Sequence, residues 1–174
     1  MNNTNQFVKT IVDYQAILDT LIHVTNENWN KYRMDCYLGE VSHITIRDCR
    51  TVGFFIGRQS GSTTALMKFS QRHHGKCMAI FTDEKTRCVA QDKLPKTPNN
   101  IIPYLTTFKL RNYIHKSGQS SIQKDFNENL LSDVRYILVD NASYNLNLRG
   151  ITDKEFNQWV ADTFGTNVIV VRFS

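Results

Sequence analysis

The sequence predicts a three-layer α/β fold, in which helices cover both faces of an open, mainly parallel sheet. Short, almost wholly apolar runs recur along the chain, as in strands that are buried on both faces. Between these runs lie segments with the apolar spacing of amphipathic helices. This alternation is typical of parallel sheets, whose ligands bind at the carboxyl ends of the strands.

The length and composition predict a single domain. The chain has 174 residues, of which 41% are hydrophobic and only three are proline. A chain of this kind can bury one substantial core. We expect residues 1–41 to form an N-terminal helical segment and residues 42–174 to form the α/β core.

The net charge favours anionic partners, and the cysteine spacing does not indicate a zinc site. A net charge of +5 favours anionic partners such as nucleotides or nucleic acid. The four cysteines lack C-x-x-C spacing, so we expect reduced thiols rather than a zinc site. The polar N-terminus and the lack of a membrane-length apolar stretch predict a soluble, intracellular protein with no membrane partner.

The first half of the chain predicts a βαβ unit. Apolar spacing predicts a helix over residues 10–33, and two extended runs follow at residues 43–46 and 51–56. The second run leads through a glycine loop into a helix from Thr63 to His73, and residues 77–82 form the next extended run. This spacing suits a right-handed crossover between parallel strands.

The second half predicts two further buried strands. Residues 104–110 read as extended, with a small hairpin insertion between residues 86 and 133 and a short helix over residues 125–131. Residues 136–139 form an apolar strand that ends at Asp140. Thr152 and Glu155 have the spacing of a capping box and open a helix over residues 152–164, before a last strand at residues 168–171.

The glycine loop from Gly57 to Thr64 is the principal candidate for phosphate binding. Its sequence is Gly57-Arg58-Gln59-Ser60-Gly61-Ser62-Thr63-Thr64. A loop between a buried strand and a helix can turn backbone N–H groups toward an anion, and the helix N-terminus adds partial positive charge.

This loop matches the Walker A pattern G-x-x-x-x-G-K-[ST] only in part. With Gly61 as the second glycine, Ser62 has the lysine position and Thr63 the magnesium position. With Gly57 as the first glycine, the lysine position falls on Thr63. Neither register contains a lysine. A glycine-rich turn that binds nothing therefore stays open as the alternative.

Asp140 is the candidate magnesium ligand, because Walker B is an apolar strand that ends in an acidic residue. The glutamate that often follows is replaced by Asn141, which can orient a water molecule but cannot take its proton at neutral pH. Glu84 is a second possible source of a carboxylate, with a solvated loop charge as the alternative interpretation. For Asp140 the alternative is a solvated strand end or a helix cap.

Other cations are candidates for the charge that the missing lysine would supply. Arg58 lies in the loop itself, and Lys68 and Lys76 lie nearby in sequence. We name Arg58 as the candidate catalytic cation, with a surface arginine as the alternative.

A group of basic and aromatic residues in the predicted hairpin is a candidate for nucleic-acid contact. Phosphates and bases are bound by such mixtures, although an ordinary solvated face is the alternative. The group consists of Arg111, Tyr113, His115, Lys116 and Lys124.

The glycine loop resembles the R-Q-x-G-K-[ST]-T form of Walker A in the large terminase subunits of tailed phages. Arg58-Gln59, Gly61, Thr63 and Thr64 match it. The run Tyr136–Asn141 looks like the Walker B strand of that family, and Val168–Ser174 is similar to the strand with its coupling motif. The resemblance implies a P-loop ATPase core of the additional-strand type, related to helicases and DNA-packaging motors.

The functional expectation is a degenerate P-loop domain that binds ATP or another nucleoside triphosphate with Mg²⁺. Loss of the loop cation and of the catalytic carboxylate should impair hydrolysis more than binding. The resemblance implies a phage-type accessory protein, with DNA or a motor protein as partner. The alternatives are an active ATPase with a non-standard Walker A motif and a non-catalytic interaction module on the same scaffold.

Overall fold

The computed structural model describes residues 12–35, 42–54, 61–92, 104–117, 122, 125–126 and 131–173, and its strands form one parallel sheet. All four neighbouring strand pairs are parallel, in the order β1-β5-β4-β2-β3. The strands are β1 Thr51–Phe54, β2 Cys77–Phe81, β3 Tyr104–Thr106, β4 Tyr136–Val139 and β5 Ile169–Phe173. The predicted α/β fold with a parallel sheet is confirmed.

Seven α-helices are described around this sheet, and the fifth continues directly into a π-helix at Tyr113–Ser117. The α-helices are α1 Tyr14–Asp35, α2 Ser42–Cys49, α3 Ser62–Arg72, α4 Glu84–Asp92, α5 Thr107–Asn112, α6 Ala142–Leu148 and α7 Asp153–Phe164.

The helices cover the two faces of the sheet as two separate apolar clusters. Strand side chains alternate between faces, and in β2 Met78 and Ile80 join one cluster whereas Cys77, Ala79 and Phe81 join the other. The cluster with Met78 contains residues of α2, α5, α6 and α7. The cluster with Phe81 contains residues of α1, α3 and α4. The result is a three-layer arrangement.

Helix α7 begins as the sequence predicts. The Thr152 hydroxyl accepts a hydrogen bond from the Glu155 backbone N–H at 3.2 Å, and the Glu155 carboxylate accepts from the Thr152 N–H at 2.8 Å. This reciprocal capping box satisfies two N–H groups that the first helical turn leaves without partners.

The predicted N-terminal helix is observed as α1 and packs on α3. Leu18 and Ile22 are buried in the cluster of the α3 face. The Gln15 side-chain amide donates to the Ala65 carbonyl at 2.9 Å, and Arg72 forms a bidentate pair with Asp19 at 2.8 and 2.6 Å. Among the described residues no helix is long and apolar enough to cross a bilayer.

Two predicted extended runs are wrong in whole or in part. Residues 43–46 belong to α2, which packs along α7 and buries Thr45 and Ile46. The run at 104–110 is a strand only to Thr106, whose hydroxyl accepts from the Lys109 N–H at 3.3 Å and so caps α5. In both places tertiary packing or a cap outweighs β propensity.

The predicted hairpin insertion is also wrong for the described part of residues 86–133. That part contains α4, β3, α5 and the π-helix, and β3 pairs in parallel with β2. Most of the predicted helix at 125–131 lies outside the described residues. Arg111, Tyr113 and His115 therefore lie on helical turns, whereas the side chains of Lys116 and Lys124 are outside the description.

Gly53 is required where β1 meets β5. A Cβ atom at this position would lie 2.9 Å from the Arg172 carbonyl oxygen and 3.1 Å from the Arg172 Cβ, and backbone cannot move aside cheaply. We therefore expect Gly53→Ala to lower the free energy of unfolding by about 1–3 kcal/mol, as overpacking does. Urea unfolding measures this change.

Gly75→Asn is the control, because Gly75 has a φ of 72° that asparagine tolerates and open space where a Cβ would lie. We expect a smaller loss there. A Gly53→Ala protein as stable as the parent would contradict the steric account.

Candidate functional site

The carboxyl ends of β1 and β4 bring together the two predicted magnesium ligands. Thr63 lies in the first turn of α3, which follows β1 along the chain, and Asp140 directly follows β4. The Asp140 N–H donates to the Ile80 carbonyl at 3.0 Å, so the sheet pairing holds its backbone in place. Because β5 lies between β1 and β4, the two residues approach each other across one intervening strand.

The Thr63 hydroxyl contacts both oxygens of the Asp140 carboxylate. Its Oγ1 donates toward Oδ1 and Oδ2, each at 3.1 Å. A single hydroxyl hydrogen is thus shared between the two acceptors. The contact joins residues 77 positions apart in sequence, and it places a hydroxyl and a carboxylate, both oxygen ligands, at one point.

Asp140 is an unusually buried carboxylate, with 5% of its surface exposed. Burial raises the pKa of the Asp140 carboxyl above its ordinary value of 3.8, although hydrogen bonds from Thr63 and from the Asn141 backbone N–H act in the opposite direction. Desolvation disfavours the charged form, whereas a bound cation would favour it. The arrangement therefore suits a group that is completed by a cation.

The Asn145 side chain fixes the Asp140 backbone through a hydrogen bond. Its side chain is fully buried, and its amide N–H donates to the Asp140 carbonyl. The Thr82 hydroxyl donates to the Asn145 Oδ1 at 2.8 Å, and the Thr107 hydroxyl donates to the Thr82 carbonyl at 2.9 Å. These hydrogen bonds tie together the carboxyl ends of β2, β3 and β4.

Asn141 is the only non-glycine residue with positive φ in the described part of the chain, with φ 47° and ψ 51°. It is exposed and precedes α6. Asparagine adopts this left-handed conformation more readily than most residues. Its amide is a donor and acceptor beside Asp140, but it is no base.

The described part of the phosphate loop begins at Gly61. Gly57, Arg58, Gln59 and Ser60 lie outside the described residues. Gly61 has a φ of 88°, a conformation that strongly favours glycine, and it precedes α3 with no side chain capping the helix. Ser62 begins the helix, and Thr64 is exposed beside Thr63.

The three candidate cations lie in different places. Lys76 lies at the amino-terminal edge of the sheet, opposite to Asp140. Its carbonyl accepts from the N–H groups of Arg135 and Tyr136 at the amino end of β4. With a rise of about 3.3 Å per residue, the four residues of that strand separate it from Asp140 by roughly 13 Å. Lys68 lines a cavity of about 290 Å³ together with Thr63. Arg58 lies outside the described residues.

The remaining candidates do not join this site. Glu84 is exposed at the start of α4 and forms an ion pair with Arg87. In the described part of the chain no three histidine, cysteine or acidic side chains cluster as a metal site would require. Tyr113 is buried and donates to Asp125, so it cannot stack on a base.

Asn145 and Thr82 are the site residues that sequence reasoning missed. Asn145 lies five residues after Asp140, in a helix that follows the strand, and Thr82 directly follows β2. The sequence gives only a weak indication of this role. Asn145 is a polar residue at a position where the helical period of α6 predicts burial. Only the pairing of β2 with β4 brings the two side chains together.

Replacing Asp140 by asparagine is expected to stabilise the protein at neutral pH. Because the pKa of the folded carboxyl is raised, ionisation costs stability as the pH rises through that pKa, and asparagine carries no such cost. Asparagine removes the cost of desolvating this charge, so we expect a gain in the free energy of unfolding at pH 7. The gain should vanish as the pH falls toward 3.8, the ordinary value. Urea unfolding across this pH range measures it.

Asp133→Asn on an exposed turn is the control and should change little. A less stable Asp140→Asn protein at pH 7 would contradict the account of a buried charge without a compensating cation.

Replacing Asn145 by alanine is expected to destabilise the protein, because it leaves the Thr82 hydroxyl and the Asp140 carbonyl without their partner. Each buried polar group left unsatisfied costs about 1–3 kcal/mol. Thermal and urea unfolding report the loss. Asn147→Ala, on the exposed side of the same helix, should cost well under half as much; equal losses would show that Asn145 contributes only helix propensity.

Comparison of the chain with protein-family models, with curated proteins and with solved structures gave no match.

Proposed function

We propose that the protein binds a nucleoside triphosphate with Mg²⁺ on a P-loop-type scaffold, with residues 57–64 as the phosphate loop. The contact of the Thr63 hydroxyl with both Asp140 oxygens, at 3.1 Å each, carries this proposal. A hydroxyl in the first turn after the loop and a carboxylate at the end of a buried strand of the same sheet are the two protein ligands that such a site uses for magnesium.

The donor set suits a hard divalent cation. Mg²⁺ prefers oxygen ligands and is held in proteins by one or two carboxylates together with substrate phosphates. Asp140 supplies a buried carboxylate whose ionised form a cation would stabilise, and Thr63 supplies the hydroxyl. When bound, the ion would neutralise negative charge on the phosphates.

Strand order supports the same scaffold. The strand that leads toward the proposed phosphate loop and the strand that ends at Asp140 are parallel members of one sheet, so their carboxyl ends lie at the same edge. Here β5 lies between β1 and β4, next to both.

The N-terminus of α3 supports an anion site. This helix has 11 residues, and its N-cap residue is Gly61, which has no side chain to cap the N–H groups of the first turn. The glycine before it, Gly61, has the positive φ with which a chain can turn sharply into a helix. The N–H groups of a first helical turn and the helix dipole favour phosphate at this end.

The site lacks two groups that ATP hydrolysis normally uses, the loop lysine and the catalytic glutamate. The lysine position falls on Ser62 or, in the other register, on Thr63, and Asn141 follows Asp140 in place of a glutamate. The Asn141 amide can orient a water molecule, but it cannot accept the proton that attack on a phosphate releases. We therefore propose a nucleotide-binding domain with weak or no turnover, acting as an accessory to a DNA-packaging or helicase-type motor.

The magnesium dependence of ATP binding tests this proposal at residue level. We expect the native protein to bind ATP more tightly with Mg²⁺ than with EDTA. Thr63→Ala should reduce the ratio of these two affinities at least tenfold, because the ion loses a ligand. Thr64→Ala is the matched control, because this neighbouring threonine is exposed and makes no described contact with Asp140. Isothermal titration calorimetry measures both affinities.

Three outcomes would contradict the proposal: no ATP binding at millimolar concentration, equal losses in the two threonine variants, or an affinity that Mg²⁺ does not change. Phosphate release from the native protein then separates a binding domain from an ATPase. Turnover that Asp140→Ala abolishes would favour the active enzyme.

A further inference from the structure

Asp140 is held from both faces of the sheet. Its carboxylate accepts from Thr63 of α3, whereas its main-chain carbonyl accepts from the side-chain amide of Asn145 in α6. Helix α3 contributes to one apolar cluster and α6 to the other, so the two contacts approach from opposite faces. The carboxylate assigned to magnesium therefore depends, for the position of its backbone, on a residue of the opposite face.

Thr82 is the residue that contacts the other end of the Asn145 amide. Its hydroxyl donates to the Asn145 Oδ1 at 2.8 Å. Met78 and Ile80 of β2 belong to the same apolar cluster as α6, and side chains alternate along a strand, so Thr82 lies on that face as well. Because β2 pairs with β4, a side chain just beyond β2 reaches the helix that follows β4.

These contacts fix the direction of the Asn145 amide. A carbonyl oxygen can only accept a hydrogen bond, so the amide nitrogen must face the Asp140 carbonyl. The amide oxygen then faces Thr82, whose hydroxyl supplies the hydrogen. Asn145 is fully buried, so bulk water does not replace a missing donor. The Thr82 hydroxyl is thus the group that selects this orientation.

The main chain of Thr82 is itself fixed by the end of the next strand. The hydroxyl of Thr107, a fully buried residue at the start of α5, donates to the Thr82 carbonyl at 2.9 Å. Three hydrogen bonds therefore connect the end of β3, through Thr82 and Asn145, to the Asp140 carbonyl.

Magnesium is sensitive to the position of such a ligand. The ion requires nearly octahedral geometry, with oxygen ligands at about 2.0–2.1 Å. Residues that orient a metal ligand without touching the metal commonly change metal affinity by about 10–100-fold. A loosened Asp140 backbone would displace the carboxylate on the same Cα and so weaken the binding of the ion.

We propose that Thr82 is a positioning residue for the magnesium site. Its hydroxyl orients the Asn145 amide, and this amide sets the Asp140 backbone so that the carboxylate faces Thr63. The inference rests on the proposed function, since the effect it assigns to Thr82 is on magnesium-dependent binding of the nucleotide. Valine has nearly the shape of threonine but no hydroxyl, and it would leave the Asn145 Oδ1 without its donor.

Calorimetric titration of Thr82→Val with ATP, in Mg²⁺ and in EDTA, tests this role. We expect the ratio of the two affinities to fall about fivefold or more, whereas the affinity in EDTA changes less than about twofold. Thr82→Ser keeps the hydroxyl and should restore the native ratio. Thr107→Val is the matched control, because it also removes a threonine hydroxyl at this edge, but one that donates to main chain rather than to Asn145.

Solvent exchange of the Asn145 side-chain amide protons, followed by NMR, reports the same contact without nucleotide. We expect slow exchange in the native protein and in Thr82→Ser, and exchange about tenfold faster in Thr82→Val, because the amide is no longer held at both ends. Thermal unfolding verifies that each variant is folded, and Thr82→Ala replaces the valine variant if that protein is not.

The outcomes separate this inference from the proposed function. A native protein whose ATP affinity does not depend on Mg²⁺ would overturn both. Native dependence on Mg²⁺ with an unchanged ratio in Thr82→Val would overturn the role of Thr82 alone. Equal losses in Thr82→Val and Thr107→Val, or a loss that Thr82→Ser does not restore, would show that Thr82 contributes only to the stability of the fold.

Discussion

Burying an ionised carboxylate costs free energy unless hydrogen bonds or a cation compensate for the lost water. Asp140 stands at the end of a central strand with 5% of its surface exposed, and its described side-chain partners are one shared hydroxyl and one backbone N–H. The surrounding structure fixes this group: the Ile80 carbonyl and the Asn145 amide hold its backbone, and Thr63 holds its oxygens. Few hydrogen bonds thus replace the water that the Asp140 carboxylate loses on burial.

The sheet explains why these groups meet. In a parallel sheet all carboxyl ends lie at one edge, and the order β1-β5-β4-β2-β3 places the loop strand and the acid strand two positions apart. The hydrogen bonds of Thr82 and Asn145 join the end of β2 to the Asp140 backbone at this same edge.

Much of this arrangement follows from local pattern. Apolar runs predicted β1, β2, β4 and β5 to within a few residues, and the positions of Thr63 and Asp140 at a helix start and a strand end predicted that they would lie at one edge. Local pattern failed where packing or a cap decides. Residues 43–46 carry a strand-like run, yet α2 forms because it packs on α7. The Thr82–Asn145 contact depends on strand pairing, which no short window of sequence contains.

The ionisation of Asp140 tests the central claim most directly. Carbon-13 NMR of its carboxyl carbon, followed across pH without and with magnesium and ATP, reports the pKa in both states. We expect a pKa above 3.8 in the free protein and one well below that value with the magnesium nucleotide bound, because a coordinated cation favours the carboxylate. A pKa that magnesium and ATP leave unchanged would contradict the assignment of Asp140 as a metal ligand.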